Sequence, residues 1–145
     1  MTEQLFQIGI KALARNEHGH ILMVKIPAWK GNPGYWDLPG GRVDSGETFL
    51  QTLQRELHEE IGVGYSGTPQ QVMSLTTPIT IPVGTERIPL ALIIYEVQLS
   101  DIDAVAIQLG NHETGFEWVS PQEAARRLAI KFSDEFCQYV AALQS

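Results

Sequence analysis

The sequence predicts a mixed α/β or α+β fold in which a mixed β-sheet lies between helical layers. Three features point there. Residues 5–15 alternate apolar and polar in the manner of a strand, and residues 48–61 lack Pro and Gly and repeat leucines at helical spacing. Ser120, Pro121 and Glu123 form an N-cap, N1-proline and capping-box pattern that opens a late helix. Strand patterns thus surround one early helix and two late ones, which calls for helices packed on a sheet. A length of 145 residues is most simply one domain, residues 1–145.

Along the chain, Phe6, Ile8, Ile10, Ala12 and Ala14 fall on one side of the first strand, and Gln7, Gly9, Lys11 and Arg15 on the other. The turn residues NEHGH, 16–20, lead to a second apolar run, 21–26, so a hairpin is expected. His18 and His20 belong to that turn and receive no role. Between Pro27 and Gly41 the density of Pro and Gly excludes a regular helix and predicts a structured loop holding Trp29, Tyr35 and Trp36. These aromatics either plug the core or line a pocket for a planar ring. Leu50, Leu53, Leu57 and Ile61 give the helix over 48–61 its buried stripe, and Gly62 stops it. Residues 70–77 read as a weaker strand, followed by a hairpin loop or edge containing Pro78 and Pro82. The run 88–99 is the most apolar and predicts a central strand. A polar connection over 100–114 precedes a short strand near Phe116 and Val119, then a helix to about Leu128. Ser133 caps a last helix reaching Leu143.

Composition narrows the function. A net charge of −7 argues against a broad face for duplex nucleic acid or membrane, since both are polyanions that need clustered Lys and Arg. A small phosphate compound remains compatible if a divalent cation mediates. Cys137 is the only cysteine, which excludes an intrachain disulfide and a multi-cysteine zinc site, and its apolar neighbours predict a packed thiol. No apolar run approaches the ~20 residues that span a bilayer. The N-terminus lacks a secretory pattern, so a cytoplasmic location is the default expectation.

The chemistry concentrates in residues 41–63, where a glycine turn runs into a helix bearing Glu56, Glu59 and Glu60. On a helical wheel started at Leu50, the other stripe residues lie within about 60°, while Glu60, Glu56 and Glu59 fall at about 280°, 240° and 180°. The acids therefore form a band at the edge of the stripe. Glu56 pairs at helical spacing with both Glu59 and Glu60, so these like charges repel unless a cation sits between them. Three crowded carboxylates make an oxygen cage suited to Mg²⁺. Arg55 falls off the band and can pair with Glu47 or with Glu59. Gly40 and Gly41 let backbone approach a ligand closely, and Gly46 permits the bend before Glu47. Lys25 and Arg42 flank the glycine loop and are candidate phosphate contacts.

Gly41, Glu47 and the run Arg55, Glu56, Leu57, His58, Glu59, Glu60, Ile61, Gly62, Val63 match every specified position of the Nudix box, so this segment resembles the Nudix hydrolases. The lead-in YWDLPGG and the late FEWV resemble the family too. The resemblance implies an α/β/α sandwich with a mixed β-sheet that hydrolyses a nucleoside diphosphate linked to another group, with Mg²⁺ or Mn²⁺ as cofactor. By position, Glu56 and Glu60 look like metal ligands, and Glu59 like a further ligand or the group that deprotonates water. Glu47 and Arg55 look like a salt bridge bracing the loop against the helix. The Gly40 carbonyl resembles the backbone ligand of some relatives. Glu113 is the best candidate for a further loop carboxylate, ahead of Asp101 and Asp103. Lys25, Arg42 and Trp36 are the expected substrate contacts.

Substrate cues conflict. The short chain resembles the compact nucleoside triphosphate pyrophosphohydrolases, which give NMP and pyrophosphate, whereas Pro78 resembles a mark of the ADP-ribose branch. Thr80 stands where the diadenosine polyphosphate branch tends to have tyrosine. A triphosphate is the leading expectation, an ADP-sugar the alternative, and a non-catalytic nucleotide-sensing regulator the remote one. The expected partner is a small nucleotide, with no nucleic acid polymer and no membrane, bound by a monomer or homodimer.

Overall fold

The computed structural model describes residues 2–31, 33–99 and 106–144. In chain order the elements are β1 (Gln7–Arg15), β2 (Ile21–Ile26), β3 (Tyr35–Asp37), β4 (Gly40–Arg42), α1 (Phe49–Ile61), β5 (Gln70–Val83), β6 (Glu86–Gln98), β7 (Gly115–Val119), α2 (Pro121–Leu128) and α3 (Asp134–Ala141). The strands form one mixed sheet in the order β3-β2-β1-β6-β5, with β4 also pairing β1 and β7 also pairing β2.

The β1–β2 hairpin pairs at its base, Arg15 with Ile21, and then opens. Into the opening β4 pairs with β1 and β3 with β2, while β6 runs parallel to β1 along its whole length. The glycine loop is thereby held at the split between two halves of the sheet.

Both faces of the sheet are covered, as the sandwich requires. On one, Ile10, Ala12 and Ala14 of β1 and Leu22 and Val24 of β2 pack under Leu53, Leu57 and Ile61 of α1. On the other, Leu13, Ile21 and Met23 pack with Ala124 and Leu128 of α2 and Phe136 and Val140 of α3. Strand β1 is therefore buried on both sides rather than half-buried, which brings Lys11 inside at 8 % exposure.

The helix predicted over 48–61 forms as α1, with Thr48 and Gln51 making a reciprocal capping box and Gly62 closing it in the left-handed region at φ 71°. Leu50 corrects the expected stripe. It is 41 % exposed and Phe49 is 40 % exposed, so the first turn projects past the packed core, while Thr52 turns inward and bonds Glu47 and the Thr48 carbonyl. Strand β5 also runs further than expected, through both prolines to Val83. Pro78 falls in the register break between Thr76 and Thr80, and β5 is the sheet's edge, where a missing N–H costs no ladder bond. Ser120 caps α2 through the Glu123 N–H, but the Glu123 carboxylate turns to Arg126 and Arg127 instead of closing a capping box. Cys137 packs against the α2–α3 core as expected, and burial pushes its thiol pKa up. Among the described residues no helix is long and apolar enough to cross a membrane.

Candidate active site

The site is built where α1 faces the glycine loop. Gly40 lies at φ 148°, and a Cβ there would stand 2.0 Å from the Ile10 carbonyl oxygen, so only glycine permits this strand contact. Its N–H donates to Glu60 Oε2 at 2.9 Å. A Cβ on Gly41 would stand 2.3 Å from Glu56 Oε1. The two glycines thus let the loop backbone press directly on two of the predicted carboxylates.

The three α1 acids differ sharply in burial. The Glu56 side chain is 11 % exposed and that of Glu59 is 55 % exposed, with Glu60 partly buried between the glycine loop and Glu113. Burial drives the Glu60 pKa up to about 8, reinforced by Glu113 and Glu56 and opposed by Lys11 and the Gly40 N–H. Burial likewise raises that of Glu56, against the pull of Arg55. Both carboxyls are therefore held toward their protonated forms, and an added positive charge would favour the carboxylates.

Arg55 reaches further than its wheel position suggests. It grips Glu47 with two bonds, Nε to Oε2 at 2.7 Å and Nη2 to Oε1 at 3.0 Å. Its Nη1 lies 2.8 Å from Glu56 and 3.2 Å from Glu59, and Nη2 also donates to the Arg42 carbonyl at 3.0 Å. Hydrogen bonding to Arg55 holds the Glu47 carboxyl down at about 2. Both pairings open to Arg55 in the sequence are thus made at once, and they tie the loop to the helix.

Glu113 arrives by a strap over the C-terminal end of α1. The Gln108 N–H donates to the Ile61 carbonyl at 2.9 Å and the Gly110 N–H to the Glu60 carbonyl at 2.9 Å, which satisfies helix-end acceptors. Glu113 is then buried, at 7 % exposure, where its charge acts on Glu60. Asp101 and Asp103 lie outside the described residues. Beside Glu59 an open cleft of about 510 Å³ is lined by His58, Asn111 and His112.

The expected substrate contacts are arranged differently. Lys25 Nζ lies over the Trp36 ring at 5.2 Å from its centroid and the Arg127 guanidinium at 4.8 Å, with Arg127 also bound to Glu117 and Glu123. The Arg42 side chain is exposed, and its backbone serves Arg55. Tyr35, rather than Trp36, lines a second cleft of about 490 Å³, together with Pro78, Ile79, Ile81, Leu90 and Ile130. Lys131 closes this cleft and binds Asp37 at 2.6 Å, and Lys11 binds the same carboxylate oxygen at 3.1 Å. Asp37 is 3 % exposed, and although burial pushes its pKa up, the two lysines outweigh that and hold it down. Lys11 stands opposite Gly40, whose N–H holds Glu60, and shares Asp37 with Lys131, so this cleft adjoins the carboxylates. The sequence carries only a trace of the triad, Asp37 as an isolated acid between Trp36 and Leu38 in a segment expected to be a loop, whereas the structure makes Tyr35–Asp37 the strand β3.

The NUDIX domain profile matches residues 5–140 of this chain. The chain belongs to the NUDIX domain family. Its Nudix box is the α1 site just described. The nucleoside triphosphatase NudI of Salmonella agona is 31 % identical over 118 residues, covering 74 % of this chain and 77 % of that protein. An 8-oxo-dGTP diphosphatase of Haemophilus influenzae is 38 % identical over 63 residues, 43 % of this chain and 46 % of the relative. The chain spans a little under half the length of several curated relatives that it matches in this way. Among solved structures, the MutT protein of Methanosarcina mazei superposes with a TM-score of 0.65 at 25 % identity, covering 97 % of this chain and 94 % of that one. The expected α/β/α sandwich is thus the Nudix fold.

The donors of this Nudix site fit a hard divalent cation. All are oxygens, the buried Glu56 and Glu60 carboxyls beside Glu113 are favoured as carboxylates by an added positive charge, and the missing Cβ of Gly41 makes room for the Glu56 carboxylate against the loop. Among the described residues no three acidic, His or Cys side chains are already closed into ligand geometry, and Arg55 lies between Glu56 and Glu59.

The raised Glu60 pKa gives a testable sign. Between its ordinary value of 4.5 and about 8 the folded protein holds a proton that the unfolded chain has released, so stability falls as pH rises through that window. The melting temperature of chelator-treated protein is expected to decline from pH 5 to about 8. Saturating divalent cation, which binds the carboxylate form, should remove the decline. A profile flat in both conditions would contradict the assignment.

Proposed function

We propose that this chain hydrolyses nucleoside triphosphates to NMP and pyrophosphate in a reaction dependent on Mg²⁺ or Mn²⁺. The observation that carries this reading is the adjacency of two unlike sites: the group of carboxyls Glu56, Glu60 and Glu113, joined through Lys11 and Asp37 to an apolar cleft walled by Tyr35. Such a pair suits a ligand that is polyanionic at one end and planar and apolar at the other. The names of the relatives, a nucleoside triphosphatase and an 8-oxo-dGTP diphosphatase, support the same class.

In this mechanism Glu56, Glu60 and the Gly40 carbonyl would hold the cation, with Glu113 adding a further carboxylate, and the chemistry it would supply when bound is neutralisation of phosphate oxygens and a lower pKa for the attacking water. Glu59, the most exposed of the three helix acids, faces open solvent in the His58 cleft and takes the proton as water attacks phosphorus in line. The P–O–P bridge breaks, and the bridging oxygen leaves with pyrophosphate. Arg55 holds Glu47, Glu56 and Glu59 in register, so its contribution is positioning. Lys25 stays on Trp36, and Arg42 is free at the mouth to meet outer phosphates.

Pro78 favours one other reading, an ADP-sugar pyrophosphatase, because it lines the Tyr35 cleft. A substrate panel with separate detection of pyrophosphate and monophosphates distinguishes them. Pyrophosphate release from triphosphates is expected. AMP plus a sugar phosphate from ADP-sugars, with every triphosphate inert, would replace this proposal with the alternative.

A further inference from the structure

We propose that Lys131, fixed by Asp37, reads the edge of the base in the Tyr35 cleft and selects rings that present a carbonyl oxygen over rings that present an amino group. This rests on the pyrophosphohydrolase reading above and specifies its substrate class.

The argument starts from what the cleft offers. Ile79, Ile81, Leu90 and Ile130 are apolar, and Lys131 is the one charged group lining it among the described residues. An ammonium carries donors and no acceptor. Its Nζ spends a bond on Asp37 Oδ2 at 2.6 Å and lies over the Tyr35 ring, 5.5 Å from the centroid, and 5.9 Å from that of Phe132, which fixes it against the aromatic wall. Asp37 cannot swing out to offer an acceptor. Its Oδ1 takes the Leu38 N–H at 2.8 Å, its Oδ2 also takes Lys11 Nζ at 3.1 Å, and it is 3 % exposed. Lys131 is therefore a rigidly held group that can only donate, while the Tyr35 hydroxyl, which donates or accepts, favours neither kind of ring edge.

A ring lying along Tyr35 meets this end with its edge. A carbonyl at the purine six-position or pyrimidine four-position accepts from Lys131; the purine N7 accepts in either kind of purine and so does not discriminate. An amino group at the same place sets donor against donor and leaves the ammonium without its partner in an apolar setting, and such mismatches discriminate more strongly than missing apolar contacts. A preference of at least about tenfold follows.

The test compares kcat/KM for pyrophosphate release within two pairs, ITP against ATP and UTP against CTP, which exchange a carbonyl for an amino group at this edge. The keto member of each pair is expected to lead by about tenfold or more. Lys131→Met should bring both ratios close to one, Lys131→Arg should keep them, and Lys131→Glu should invert them. A merely structural role would lower both members of a pair alike and leave the ratio. Thermal melting of each variant checks its fold. Equal turnover of all four triphosphates by the wild type, or unchanged ratios in Lys131→Met, would overturn this inference and leave the pyrophosphohydrolase reading intact. No pyrophosphate from any of the four would overturn both.

Discussion

Glu56→Gln and Glu60→Gln are each expected to lower cation-dependent pyrophosphate release by about 10²-fold or more, the scale on which charge-stabilising groups act in active sites. The substitutions are nearly isosteric, and the amide oxygen of a Gln at 60 can still accept the Gly40 N–H, so the loop contact at 2.9 Å is retained. Removing the Glu60 charge also relieves its repulsion with Glu113 and Glu56. Stability of Glu60→Gln near pH 8 should therefore equal or exceed that of the wild type while activity collapses. That opposite movement separates loss of a ligand from loss of fold. Near wild-type turnover in both variants would refute the role given to these acids.

Gly40→Ala is expected to damage fold and activity together. The new Cβ would fall 2.0 Å from the Ile10 carbonyl oxygen, a backbone atom of the central strand, at a φ of 148° that side chains rarely adopt. Neither term can be relieved without unpairing β4 from β1, because Gly40 lies opposite Lys11 in that ladder. Strain and overpacking of this kind cost about 1–3 kcal/mol each, and together amount to much of a typical domain's stability. The loop would move off the Glu60 carboxylate as it unpairs, so residual folded protein should also turn over slowly. Denaturant unfolding and turnover of the surviving fraction measure the two effects. A variant as stable and active as the wild type would mean that the glycine loop does not hold the site in the way described.

The helix that carries the site was legible because its signals are local. A capping residue at 48, leucines three and four apart, and a glycine at 62 act within one or two turns. The short strand before α2 and the Ser120 cap were legible for the same reason. What escaped depends on partners distant in sequence. Leu50 has the spacing of a core residue, but whether a first turn overhangs the sheet is decided by the strands beneath it. The prolines of β5 left a hairpin loop or an edge open, and only the pairing with β6 decides for the edge strand.

At the site, residue types and spacing identified the carboxylates and the Glu47–Arg55 brace, since both belong to one contiguous stretch. Lys25 and Arg127, from β2 and α2, come to rest over the Trp36 ring while its neighbour Tyr35 lines the cleft, an arrangement set by partners distant in sequence. The triad of Lys11, Asp37 and Lys131 was missed for a related reason. Its members come from β1, β3 and the turn after α2, and the two contacts with Asp37 span 26 and 94 residues.

The claim on which the rest depends is that the α1 carboxylates hold a divalent cation. Titrating the protein with Mn²⁺ while following the free-ion EPR signal tests it without reference to any substrate. The wild type should deplete the signal, more strongly as pH rises toward 8 and Glu60 releases its proton, and the Glu56→Gln, Glu60→Gln double variant should leave the signal close to that of buffer. Equal depletion by the wild type and the double variant would contradict the account.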